Sequence, residues 1–461
     1  EGFQSIEHVK RYTTTGMATD QGKTSNVNAL GIISELSNTN ISELGTTTFR
    51  LPYTPVTFGA LAGRHVKEFF DLERTTPMHE WHMENGALFE DVGQWKRAWY
   101  YPKEKESFSI ALNREVKATR DSLGILDAST LGKIDIQGRD VSEFLNRIYT
   151  NAWSKLEIGK CRYGVMLGDD GMVIDDGVTT RLGEYHYLMS TTTGNAASVM
   201  AKLEDWLQTE WPELEVYLTS VTEQYGTISL NGPNSRKLME KLNSEYDFSK
   251  DNFPHMSFKV INLYGVECRV MRISFTGELC YEINVPSGYA KQLWDVCIDK
   301  GQEFNITPYG TEAMHVLRAE KGFIIVGQET DGSVTPVDLD MDWIVSKKKY
   351  DFVGKRALNR SDTIKKDRKQ LVGLKTKDPK KVLEEGAQLV ETVTALPMKM
   401  VGHVTSSYYS PNLNSSFALA LIKGGLEKKG EKLFAPMENE TIEVEITDPV
   451  FIDPENKRVN Q

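Results

Sequence analysis

"CRYGVMLGDDGMVIDDGVTTRLGEYHYLMSTTT", residues 161–193, decides how this 461-residue chain is read. Strand-like runs rich in Val, Thr and Tyr are separated here by Gly-rich turns, the signature of a strand meander. One run carries two adjacent carboxylates, Asp175 and Asp176, after Met172, Val173 and Ile174 and before Val178. If residues 172–179 form a strand, its faces separate with period two. Met172, Ile174, Asp176 and Val178 then share one face, and Val173, Asp175, Gly177 and Thr179 share the other. A carboxylate among apolar side chains is costly unless hydrogen-bonded, and its ionised form is disfavoured. Such a residue is either a functional group or an acid satisfied by backbone amides in a turn. Alternation selects Asp176 over Asp175 and assigns it no task.

Outward from the meander, strands and helices recur in groups. Before it, "SIALNREVKATRDSLGILDAS" reads as an amphipathic helix, "GKIDIQG" as a strand and "RDVSEFLNRIYTN" as a helix. After it come the helix "NAASVMAKLEDWLQTEW", the strand "YGTISLNGP", the helix "PNSRKLMEKLN" and a strand pair, "ECRVMRISFTGELCYEINVP". "GYAKQLWDVCIDKG" and "GTEAMHVLRAEKGF" are again helical. A strand-rich block followed by a helix, repeated, predicts an α+β fold over residues 79–365 rather than a doubly wound parallel sheet. The final stretch, residues 366–461, has short strand-like runs with turn residues, as in "KMVGHVTSSYYSPNLNSSFALALIKGG", and predicts a small β-barrel or sandwich.

Residues 1–78 differ in character. A helical start, "SIEHVKRY", leads into a Thr, Gly, Asn and Ser-rich run, and "TTTFRLPYTPVTFGALAG" carries two prolines within four residues, as an extended connector does. The segment reads as a remnant and linker belonging to something longer. With 39% apolar and 26% charged residues, long disordered tracts are not expected. A net charge of −11 argues against broad electrostatic binding to nucleic acid or anionic membranes, yet leaves room for an anionic small ligand held by local cations. Four scattered cysteines without a CxxC pair argue against structural zinc and suit a reducing compartment. With no apolar run of about eighteen residues, the expectation is a cytoplasmic protein without a bound metal.

Neither GxGxxG nor a Walker A loop occurs, so no dinucleotide or nucleoside-triphosphate cradle is legible. "HEWH", residues 79–82, is not the HExxH zinc pattern and has no third ligand spaced with it, so its histidines read as packed or exposed. Trp81, Trp95, Trp99, Tyr100 and Tyr101 read as packing. By default Glu282 in "CYEINVP" is an exposed strand acid, Arg318 in "MHVLRAEKG" an exposed helix charge, and Trp343 a core residue. "SKKKYDFVGKR" reads as a solvated face, part of which could hold a ligand's carboxylates.

In order, the "Gly-apolar-apolar-Asp-Asp" strand, the "TGE…E" strand, the "LRxExG" helix, the "TP…W" segment with "FVGK", and the late "GHVTSS…SP" strand form a constellation. Across about residues 105–425 it resembles the folate-dependent aminomethyltransferase family, the T-protein of glycine cleavage and its relatives. Longer stretches, among them "HVKRYTTTGMATDQGKTSN" and "TPYGTEAMHVLRAEKGFIIVGQETDGSVTP", resemble one branch of that family over essentially the whole chain, the α subunits of heterotetrameric sarcosine oxidases. In that branch a dinucleotide-binding domain comes first, which accounts for the missing GxGxxG.

The resemblance implies a three-lobed aminomethyltransferase (T-protein) cloverleaf around a central folate channel, with the C-terminal β-barrel as third lobe. It places the family's catalytic aspartate on Asp176 and its pterin-gripping glutamate on Glu282. Leu131 in "DASTLG" takes the position of a pterin-packing Met, Thr192 that of an Asn, and Tyr163 and Arg318 match further cofactor-site positions. Phe275 stands where the T-protein usually has Tyr, so a hydroxyl is absent there. The implied cofactor is tetrahydrofolate, with flavin and NAD on the missing domain or on partners, namely a flavin-bearing β subunit and smaller subunits. The implied chemistry is oxidation of sarcosine to an iminium at that flavin and capture of its carbon as 5,10-methylenetetrahydrofolate. A stand-alone folate-dependent aminomethyltransferase or demethylase and a non-catalytic folate binder are the alternative readings.

Overall fold

The computed structural model describes residues 2–51, 53–64 and 72–461; residues 65–71 of the expected N-terminal linker lie outside them. The chain divides into two compact units, Glu1–Glu73 and Arg74–Gln461. In the first, the helices Ile6–Tyr12 and Asn26–Ser37 are followed by a short helix, Phe58–Ala62. Ser5 caps the first of these by accepting from the Glu7 amide, and Asn26 ties the second to the chain beyond it, donating to Thr47 Oγ1 at 3.1 Å. Among the described residues no helix is long and apolar enough to cross a membrane.

The second unit holds two sheets built to one plan: strand, helix, three-strand meander, helix, strand. In the first sheet the meander strands Cys161–Leu167, Val173–Gly183 and His186–Thr191 are followed in space by Gly132–Gln137 and Tyr217–Ser220. In the second, the meander strands Phe258–Leu263, Val266–Met271 and Cys280–Pro286 are followed by Tyr225–Asn231, Gly124–Asp127 and Thr307–Pro308. Among the described residues of these two sheets, Gly124–Asp127 alone is extra to the plan and Thr307–Pro308 alone pairs in parallel. A tight turn starts the long strand of the first meander. Gly171 there adopts φ +83°, and a Cβ at that position would press on Ala357.

Helices cover one face of each sheet. Val141, Phe144, Leu145 and Ile148, spaced along one side of Val141–Ile148, bury against Ile134, Ile136 and Met189 of the first sheet. Leu293, Trp294 and Cys297 of the helix Ser287–Gly301 do the same against Ile228, Leu230 and Ile283 of the second. The two remaining faces look at one another. Cys161, Leu188, Phe258, Met271 and Ile273 pack between them, and the Thr180 hydroxyl lies 3.5 Å from Met271 Sδ.

The strands Lys369–Thr376, Ser415–Lys423, Met400–Ser410, Gln388–Val390, Lys432–Pro436 and Thr441–Thr447 close into a barrel around Val372, Leu374, Leu389 and Ile446. The helix Thr311–Glu320 fastens it to the sheets, since Ala313, Val316 and Leu317 share a core with Leu419 and Leu421. Two sandwiches and a barrel make an α+β fold of three lobes, as the resemblance implied. Trp343, expected in the core, is 69% exposed. It sits on the one-turn helix Asp342–Ile344, whose buried member is Ile344, so the residue beside it points outward.

Candidate functional site

A bulge decides where the two aspartates point. Leu167 pairs with Val173 and Met166 with Asp175, leaving Ile174 as an extra residue that breaks the period-two alternation just before the acid pair. Asp175 consequently faces the helices and is fully buried. Thr192 Oγ1 donates to its Oδ1 at 2.7 Å, and Asn195 Nδ2, at the start of the helix Ala196–Thr209, donates at 3.3 Å. Asp176 faces the other way and keeps some exposure. Tyr163 Oη donates to its Oδ2 at 2.5 Å. Alternation separates the two acids and predicts the deeper burial for Asp176, but the sealed one is Asp175, whose oxygens have local donors.

Burial raises the Asp175 carboxyl to about 6 against the pull of Thr192 and Asn195. It raises Asp176 to about 7, with the charge of Asp175 adding to the push and the Tyr163 hydrogen bond opposing it. Glu282 comes from the second sheet, on the strand Cys280–Pro286, and is half-buried rather than exposed. Its register neighbours are Ser229 and Met271, so it lies on the helix-free face. Among the described residues no side chain or amide hydrogen-bonds to its carboxylate, and burial lifts that carboxyl to about 7 while the charge of Lys133 holds it down. Leu131 is half-buried in the turn that carries the chain from Gly124–Asp127 in one sheet to Gly132–Gln137 in the other. The structure thus sets Asp176 and Tyr163 on one inner face and Glu282 on the other, with Leu131 at the crossing.

Thr192 and Arg318 stand differently. The Thr192 hydroxyl is engaged by Asp175, which makes it a support for the acid pair. Arg318 is fully buried, contrary to the default of an exposed helix charge. Its Nη1 donates to Phe323 O at 3.0 Å and Glu329 Oε2 at 2.7 Å, and its Nη2 to Gln328 Oε1 at 3.0 Å and Ser406 Oγ at 2.8 Å. A guanidinium so enclosed joins helix to barrel and presents no surface to a ligand. The acids of "TGE" and "LRxExG" are likewise structural, because Glu278 and Glu320 meet on Arg120 at 2.8 Å each. Phe275 and Phe323 lie nearly parallel, 18° apart with centroids 6.3 Å apart.

A cavity of about 580 Å³ lies elsewhere, between the helices Phe108–Asp121 and Thr311–Glu320 and the barrel, lined by Phe108, Glu312, His315, Glu385 and Tyr408. Neither Asp176 nor Glu282 lines it. His82 of "HEWH" is packed, its ring bridging Asp127 Oδ2 at 3.0 Å and Tyr101 Oη at 2.9 Å. Sequence reasoning missed Asn195 and Lys133. In "GKIDIQG" the alternation does place Lys133 and Asp135 opposite Ile134 and Ile136, but a polar strand face sandwiched between two sheets has the same pattern as one facing water.

Comparison with known proteins agrees with this architecture. The GCVT N-terminal domain matches residues 78–349, the glycine cleavage T-protein C-terminal barrel domain residues 369–453, and the sarcosine oxidase A3 domain residues 1–64. The chain is 56% identical over 464 residues to sarcosine oxidase subunit alpha of Corynebacterium sp. (strain P-1), covering 99% of this chain and 48% of that protein. With the same subunit of Rhizobium meliloti (strain 1021) it is 43% identical over 466 residues, covering 100% and 47%. The chain spans about half the length of these curated relatives. The solved glycine cleavage system aminomethyltransferase T from Bartonella henselae shares the fold, with a TM-score of 0.72 at 23% identity over 82% of this chain and 98% of that one. Since the N-terminal domain match alone takes in more than half of the residues, the chain belongs to the GCVT family, that of the glycine cleavage T-protein.

Proposed function

We propose that tetrahydrofolate binds between the two helix-free sheet faces, beside Asp176 and Glu282, and that the chain is the folate-binding part of a sarcosine oxidase α subunit. There the carbon of oxidised sarcosine would be captured as 5,10-methylenetetrahydrofolate. The observation that carries this reading is Glu282, a half-buried carboxylate with no hydrogen-bond partner among the described residues, set on the face opposite Asp176. A carboxylate's two oxygens match the paired N–H donors of an aminopyrimidine edge, so the residues present fit a reduced pterin. When bound, tetrahydrofolate supplies nucleophilic ring and side-chain nitrogens.

The chain's own contribution is positioning and charge. Asp176, raised to about 7, exchanges a proton near neutral pH, and as an anion it stabilises the cationic carbon being transferred. Tyr163 fixes the direction of that carboxylate. Asp175, held by Thr192 and Asn195, keeps a second negative charge beside it. Leu131 offers an apolar surface at the edge of the site. On this reading residues 1–78 are a linker after a dinucleotide-binding domain, residues 79–365 the folate-binding region and residues 366–461 the barrel. The flavin resides on a β-subunit partner, in a cytoplasmic assembly.

The test is calorimetric titration of the purified chain with tetrahydrofolate, followed by addition of formaldehyde and assay of the methylene product. Saturable binding, with product formation lost in Asp176→Asn, is expected. Absence of binding by the native chain overturns the reading.

A further inference from the structure

Lys133 is 2% exposed, on the strand Gly132–Gln137. Its ammonium donates to Ser129 O at 2.9 Å and Leu131 O at 3.2 Å, clamping the turn that carries Leu131 between the sheets. Those bonds use two of its three N–H donors. Its charge acts on two carboxylates, Asp127 and Glu282. Asp127 already has partners, His82 Nε2 at 3.0 Å and Ser129 Oγ at 2.5 Å, whereas Glu282 has none.

Three other groups that feel the Glu282 charge, Cys161, Cys280 and Tyr309, are uncharged at neutral pH. Burial pushes the Cys161 thiol up to about 12 and raises Cys280 and the Tyr309 phenol well above their ordinary values. Asp135, on the same strand as Lys133, is turned to His186 at 2.7 Å and Arg269 at 3.6 Å. Lys133 alternates with Ile134 and Ile136, which pack against the helices, so it lies on the helix-free face that looks at the face carrying Glu282, and its charge holds the Glu282 carboxyl down.

We propose that Lys133 is a positioning residue of the reduced-folate site, facing Glu282 as its counter-ion while its clamp sets Leu131 against the same ligand. The inference rests on the reading of Glu282 as the pterin acceptor. An unpaired, half-buried carboxylate without a nearby cation takes up a proton and loses half its capacity as an acceptor. Lys133 opposes that. Burial brings its own ammonium down to about 8, so the opposition itself fades in mildly alkaline solution.

The experiment measures the dissociation constant of a non-reactive reduced folate, 5-formyltetrahydrofolate, over about pH 5.5–8.5 for the native chain and four variants. Native binding should weaken as pH falls through about 7, where Glu282 protonates. Lys133→Gln, which keeps an N–H donor for the turn but removes the charge, should move that acid limb alkaline by about one pH unit. Lys133→Met should move it equally and weaken binding further at every pH. Lys133→Arg should restore the native limb. A purely structural Lys133 would lower affinity uniformly and leave the limb in place, which overturns the proposal. Glu282→Gln separates the two layers. It should flatten the profile, and native affinity in that variant at every pH would defeat the folate reading itself, whatever Lys133 does. Melting temperatures of all four variants control for folding. Because Gln and Met perturb the turn differently, a limb shift in either folded variant decides the matter.

Discussion

Tyr163 and Asp176 meet on a diagonal of the first sheet: Tyr163 lies opposite Val178, Asp176 opposite Val165, and the phenol donates to the carboxylate at 2.5 Å. Hydrogen bonding to the charged form of an acid lowers its pKa, so this contact works against the burial that raises Asp176 to about 7. Replacing the phenol by Phe removes that restraint. For Tyr163→Phe, the acid limb of the rate of methylene transfer should move alkaline, with turnover at pH 7 down about tenfold and partly recovered at higher pH. A pH–rate profile checks this; a uniform drop without a shifted limb would place Tyr163 outside the proton chemistry.

Asp176→Asn is isosteric and keeps an acceptor for Tyr163, so the strand and the bulge at Ile174 should be unaffected. What goes is the negative charge and the exchangeable proton. Turnover should fall about a hundredfold or more, while the dissociation constant for the reduced folate stays close to native. Parallel calorimetry and single-turnover assays test this, and a variant that binds poorly instead would make Asp176 a binding group.

The site is partly legible in the sequence, and the illegible part has a physical cause. Asp176 stands out because an acid in an apolar strand-like segment demands explanation, whereas Glu282 has the pattern of an exposed strand acid and is picked out only by the family resemblance. The deeper burial of Asp175 does not stand out, since it follows from one extra residue, Ile174, in the pairing with Met166 and Leu167. Arg318 looked like a helix-surface charge because its partners, Glu329 and Ser406, are 11 and 88 residues away in sequence. The element order came through well, as "NAASVMAKLEDWLQTEW" and the helix Ala196–Thr209 show. That the two sheets repeat one plan did not, because the repeat lies in connectivity and not in residue identity.

The pH dependence of stability offers a third expectation. Asp175 is fully buried and its carboxyl is raised to about 6 from an ordinary 3.8. A raised carboxyl favours the folded state most below the unfolded value, and that contribution is lost as pH rises through about 6. Asp175→Asn cannot ionise and keeps it, and its side-chain oxygen still accepts from Thr192. Relative to the native chain, the variant should gain stability as pH rises from about 4 to about 7, levelling at no more than about 3 kcal/mol. Urea unfolding at a series of pH values measures the gain; a constant difference across the range would mean that Asp175 is not the group titrating.

The last expectation concerns Arg318, where a ligand contact and a structural role lead to opposite results. Its guanidinium is sealed among Glu329, Gln328, Phe323 O and Ser406, and Glu329 Oε2 also accepts from the Ile325 amide at 2.8 Å. Removing one partner of a buried pair strands the other charge, at a cost of about 3–5 kcal/mol. Arg318→Met should therefore lower stability by that order and leave reduced-folate affinity unchanged in the folded protein. Arg318→Met combined with Glu329→Leu removes both charges and should recover part of the loss, because no charge is stranded while the Ile325 amide, Phe323 O, Gln328 and Ser406 still lose partners. If Arg318 instead reached the ligand, affinity would fall in the single variant and stay low in the double one. Denaturation midpoints and calorimetry on both variants tell these outcomes apart.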